Sequence, residues 1–169
     1  MKKIFLIIIV LVSIVGALLF FPTNETKYLR VHIRANSNNI EDQNIKYEIK
    51  DLVCEYLTPL FIDCQHIEKA KEILTANLDN IEMVIDNYLD QKGFLYKSSA
   101  KLNNEYFPTR TYSELILESG YYDALIIELG SGLGDNWWCV IYPPMCFADN
   151  TNNIVYKSKL LSIISKLLK

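Results

Sequence analysis

Between Asn39 and Gly93 the apolar residues of this chain recur every three or four positions; beyond Gly93 they recur every second position or in short unbroken runs. A helical stripe must lie against an apolar surface, and strands with one apolar side provide it. Asn36-Ser37-Asn38-Asn39 supplies a stop and an N-cap, and Glu41-Asp42 put negative charge in the first turn, where the helix dipole favours it. The first predicted stripe is Ile45, Ile49, Leu52, Val53 and Tyr56, and Thr58-Pro59 is expected to end that helix. The second runs from Ile67 through Ala70, Leu74, Leu78, Ile81 and Ile85 to Leu89, with Gly93 as its C-cap. Ahead of both, Tyr28 to Ala35 alternates, placing Leu29, Val31 and Ile33 on one face and Arg30, His32 and Arg34 on the other. FLYKSSAKL, YSELILES, YYDALIIEL and WWCVIY read as further strands, with YYDALIIEL central because it is apolar on both faces. The expected fold is α+β: a largely antiparallel sheet of about five strands, two helices packed on one face, and a C-terminal helix from Ile154 to Lys169.

The start of the chain stands outside that fold. Met1-Lys2-Lys3 precede an almost unbroken apolar run from Ile4 to Phe21. This is the pattern of an export signal, and Val15-Gly16-Ala17 offers a small-residue cleavage site. The run is also close to the roughly 20 residues that span a bilayer, so a cleaved signal peptide and a retained anchor both fit. In either case the two lysines stay inside and everything after Pro22 is exported. Residues 1–21 are therefore the signal or anchor, 22–27 a linker, 28–149 one domain, and 150–169 a polar loop with an amphipathic helix. That last helix, with Lys157, Lys159, Lys166 and Lys169, suits docking on the domain or leaning on anionic lipid.

The 169 residues carry a net charge of −3, which argues against a nucleic-acid partner, since that would need a concentrated basic face. Four cysteines, Cys54, Cys64, Cys139 and Cys146, permit disulfides in an exported chain. The local pair Cys139 and Cys146, across the turn at Pro143-Pro144, is the expected bridge; the other reading makes them buried thiols. Neither spacing is that of a zinc site, and no metal or other cofactor is expected. Gly130-x-Gly132-x-Gly134 imitates a dinucleotide loop, but it opens onto Trp-Trp-Cys-Val-Ile-Tyr rather than a helix whose amides could hold phosphate. It is expected to be a hairpin loop, and no small-molecule substrate is implied. His32 with Cys139 has the residue types of a thiol hydrolase, which is the alternative function, though nothing in the spacing brings the two together. Trp137 and Trp138 must point to opposite faces of one strand, so one of them leaves the helix-covered core.

Three stretches carry a resemblance: LRVHIRANSNNIEDQNIK at Leu29 to Lys46, FPTRTY at Phe107 to Tyr112, and GYYDALIIELGSGLGDNWWCVIYPPMCF at Gly120 to Phe147. With the exported N-terminus, they make the chain resemble the stage II sporulation protein R family. The resemblance implies a protein made in the forespore and exported into the space between two septal membranes. There it triggers a membrane-embedded aspartic protease that processes the sigma-E precursor, so the chain is a signal and not an enzyme. Arg34, Leu133, Asp135 and Tyr142 depart from the family's pattern. The partner contact is expected on Phe107, Arg110 and Tyr112 of the first turn. It is expected to extend over Asn136, Trp137, Trp138, Tyr142, Pro143, Pro144 and Phe147 of the second element.

Overall fold

The computed structural model describes residues 28–112 and 115–145. The N-terminal apolar segment, Cys146, Phe147 and the C-terminal helix expected from Ile154 lie outside the described residues. Eight elements follow one another: β1 (Leu29–Arg34), α1 (Ile40–Phe61), α2 (Ile67–Gln91), β2 (Ser98–Phe107), β3 (Arg110–Tyr112), β4 (Leu115–Leu117), β5 (Gly120–Leu129) and β6 (Asn136–Tyr142).

The fold is α+β, with both helices on one face of the main sheet. Asn39 caps α1 by accepting from the Asp42 amide at 2.7 Å. The helix does not stop at Thr58-Pro59 but continues through Pro59 to Phe61. Leu57 and Phe61 are buried in the core, and that packing holds the last turn against proline's missing donor. Gly93 ends α2 as expected: at φ 82° it lets its own amide reach Asp90 O at 3.1 Å and that of Phe94 reach Leu89 O at 3.0 Å.

The main sheet has four strands in the order β2-β5-β1-β6, and it is mixed rather than largely antiparallel. β5 pairs antiparallel with β2 and parallel with β1, while β6 runs antiparallel to β1. The YSELILES stretch does not join it; its β4 pairs with β3 as a separate two-stranded ribbon. YYDALIIEL is an inner strand, as its two apolar faces require. The residues Asn103-Asn104-Glu105 belong to β2, which runs on to Phe107.

The glycine segment is not a hairpin loop. β5 and β6 are separated by β1, so Gly130 to Asp135 must cross over the chain leaving β1. Gly134 N–H donates to Ala35 O at 2.8 Å, Ser131 Oγ to Asn36 O at 2.6 Å, and the Asp135 amide to Asn38 Oδ1 at 2.6 Å. A Cβ on Gly134 would stand 2.3 Å from Ser37 O, so only glycine permits this approach. The chain stretch after β1 and the glycine crossing, two of the three quoted motifs, are thus each other's packing partners. Beneath them Asp42 accepts from Ser37 Oγ at 2.6 Å, Tyr96 OH at 2.7 Å and Asn36 Nδ2 at 2.8 Å. Buried Lys46 donates to Asp135 O at 2.9 Å and to Gln43 Oε1 at 2.6 Å. Burial pushes the Lys46 amine down and the carboxylate of Asp135 raises it, with the net shift downward.

Candidate functional site

Alternation along β1 sends Leu29, Val31 and Ile33 into the helix-covered core. Arg30, His32 and Arg34 therefore face the other side of the sheet, which carries no helix among the described residues. They meet there the inward residues of β2 and β6 and the small ribbon β3–β4.

Arg30 is fully buried. Its guanidinium carbon lies 4.1 Å from the centre of the Phe107 ring, 4.8 Å from that of Tyr122 and 5.7 Å from that of Tyr112. NH2 of Arg30 donates to Tyr112 OH at 2.8 Å, but Nε and NH1 have no hydrogen-bond partner. Three aromatic faces compensate part of the desolvation of this charge, since each presents a negative quadrupole to it. Among the described residues no carboxylate pairs with it, which is unusual for a buried guanidinium.

His32 sits beside it, edge-on to Phe107 with ring centres 5.7 Å apart and tilted on Trp138 at 5.4 Å. Its Nδ1 lies 2.8 Å from Glu105 Oε2, and its buried Nε2 has no partner. A carboxylate only accepts, so Nδ1 carries the hydrogen of that bond. Arg34 donates to both Glu105 and Glu128. Burial pushes the Glu128 carboxyl up, but Lys101 and Arg34 beside it hold it below the usual carboxylate range. From the ribbon, Arg110 stacks on Trp138 with its guanidinium carbon 4.1 Å from the ring centre, and its buried Nε is also unpartnered. The result is a continuous stack of cations and rings, in the order Arg110, Trp138, His32, Phe107, Arg30 and Tyr122, roofed in part by β3.

The structure divides the expected contact residues. Phe107, Arg110, Tyr112 and Trp138 come together in this stack. Trp137 is on the opposite face, half-buried against the helix-side core, with Lys50 Nζ 5.9 Å from its ring centre. Tyr142 is buried in that same core, and Pro143 and Pro144 are buried as well, so these three present no open surface. Asn136 is exposed at the start of β6, and Phe147 lies outside the described residues.

The thiol-hydrolase arrangement is overturned. Cys139 pairs with Val31 in register and lies in the helix-side core, whereas His32 pairs with Trp138 on the other face. The sheet itself stands between the two groups. Among the described residues no group of three or more His, Cys, Asp or Glu side chains could hold a metal. The residues that sequence reasoning missed are Arg30, Tyr122 and above all Glu105, which lies in a polar stretch ahead of the expected turn at Phe107 to Arg110. The one signal that pointed to them was the unbroken polar side of β1, Arg30-x-His32-x-Arg34.

The family model of stage II sporulation protein R matches residues 25–152 of the chain. Stage II sporulation protein R of Bacillus subtilis (strain 168) is 34% identical over 131 residues, which are 78% of this chain and 58% of that protein. The chain thus spans less than two thirds of the length of the curated relative it matches. No solved structure matches it.

Proposed function

Since the chain belongs to the stage II sporulation protein R family and so serves sporulation, we propose that it is an exported signal that triggers a membrane-embedded aspartic protease to process the sigma-E precursor. The apolar run at Ile4 to Phe21 supports export into the space between the septal membranes, with the segment cleaved or kept as an anchor. The observation that carries the reading is the cation–aromatic stack on the helix-free face. Its guanidiniums are stacked on rings and keep unfilled donors, which suits the face to contact with a partner. We put the protease contact on Arg110, Trp138 and Tyr112, with Asn136 at its margin and the buried Phe107 supporting the stack from within. The family is named for sporulation and not for a reaction, and the chain acts as the ligand while its partner does the chemistry.

A Cys139–Cys146 bridge belongs to this reading. The Met145 amide donates to Val140 O at 3.3 Å, so the chain after Tyr142 doubles back along β6 as far as Met145, and a turn of that kind favours the bridge. Cys54 and Cys64, the other two cysteines, are free and buried.

The test is to co-express the full chain with the protease and the sigma-E precursor in a host that does not sporulate. Processing should require the chain and should be lost in Arg110→Ala and Trp138→Ala that remain folded. Equal processing without the chain would refute the proposal.

A further inference from the structure

β2 is an edge strand, and half of its edge is shielded while half is open. The Ser98 amide donates to Asp86 Oδ1 at 2.7 Å and the Ala100 amide to Glu82 Oε1 at 2.6 Å, so two carboxylates from α2 close the first part. Strand period places the amides of Leu102, Asn104 and Tyr106 on the same outer side. Among the described residues no side chain caps these, and Asn104 and Tyr106 are exposed. An unpaired edge is a template for another strand, and proteins normally blunt it, as α2 does here over Ser98 and Ala100.

The charge pattern along the open part is complementary to its own reverse: Lys101, Asn103, Glu105. If a second copy lies antiparallel with Asn103 opposite its own mate, Leu102 faces Asn104 of the other copy and the two exchange both backbone bonds. Lys101 then faces the other copy's Glu105, and by symmetry the reverse pair forms as well. No one-residue slip preserves both matches. We propose that this edge pairs two copies of the chain about a two-fold axis at Asn103, joining two four-stranded sheets into one.

The helix-free faces of both copies then point the same way. Seven strand spacings of about 4.8 Å would set the two β6 strands roughly 34 Å apart. If that face is the protease contact proposed above, the pair presents two contact sites to one side. The overlap is short and buries less than the roughly 1,200 Å² of stable complexes, so the pairing is weak and needs a high local concentration.

Oxidative cross-linking of the full chain in neutral-lipid vesicles tests it. Asn103 would form a non-hydrogen-bonded pair with its mate at a Cα separation of about 4.5 Å, within disulfide range. Asn103→Cys should give at least about tenfold more covalent dimer than Ser99→Cys, which has no symmetric mate. Adding Lys101→Glu, which sets like charges opposite each other, should remove that excess. Equal yields from Asn103→Cys and Ser99→Cys would overturn the proposal, as would an excess that survives Lys101→Glu. The readout is independent of processing, so failure of the protease reading leaves it standing and the reverse is equally true.

Discussion

Arg30 is a buried cation whose surroundings are rings and one hydroxyl rather than a carboxylate. Removing such a charge in favour of an apolar side chain of similar length relieves desolvation that the rings compensate only in part. Arg30→Met is therefore expected to leave stability unchanged or raise it by about 1–4 kcal/mol in urea unfolding, while abolishing processing in the co-expression assay. A loss of stability would show that the aromatic box over-compensates the charge. The two tryptophans separate on the same logic. Trp137→Ala removes a ring half-buried against the helix-side core and should cost about 2–3 kcal/mol, less than the 3–5 of a fully buried ring. Trp138→Ala leaves that core intact and should act on signalling before stability. Urea midpoints of the two variants check this, and a larger midpoint loss for Trp138→Ala would place Trp138 in the structural core.

At the scale of elements, the junction of β1, α1 and the glycine crossing is the most constrained part of the molecule. Gly134→Ala would drive a Cβ into the backbone of Ser37, whereas a Cβ on Gly93 meets nothing within 4 Å and only its left-handed backbone resists. Thermal unfolding should show a cost of more than about 3 kcal/mol for the first and about 1–2 for the second. The same junction sets acid sensitivity. Burial pushes the Asp42 carboxyl up, but hydrogen bonds from Ser37, Tyr96 and Asn36 outweigh it and hold it below the usual carboxylate range. The unfolded chain then takes up the proton first as pH falls. The contribution of Asp42 is complete above about pH 4 and disappears as pH drops through the lowered folded value. Asp42→Asn should be less stable than the parent at pH 7 and should lose less of its stability on acidification below pH 4. Parallel stability curves for the two would refute this account of Asp42.

For the whole molecule, the thiols report on cooperative unfolding. Burial pushes the Cys54 thiol up to about 12 and raises that of Cys64 as well, so neither offers a thiolate at neutral pH. Iodoacetamide at pH 8 should modify neither in the folded chain. Under denaturant without reductant, mass spectrometry should find Cys54 and Cys64 modified and Cys139 and Cys146 protected until reductant is added. Modification of all four without reductant would refute the proposed bridge.

Local pattern determined the elements and their faces. The helical stripe from Ile45, the Gly93 cap, the alternation of Arg30, His32 and Arg34 and the inner position of YYDALIIEL are all read from neighbours a few positions apart, where periodicity acts. The opposition of Trp137 and Trp138 follows in the same way, but which of them enters the core does not. Strand order was decided by tertiary packing. β5 needs both faces covered and two strand neighbours, and it finds β1, whose parallel pairing sends the glycine segment over the end of β1 instead of into a hairpin. Glu105 reached His32, and Arg110 reached Trp138, only through that arrangement. The partners in the first pair are 73 positions apart, a separation at which no local periodicity carries information.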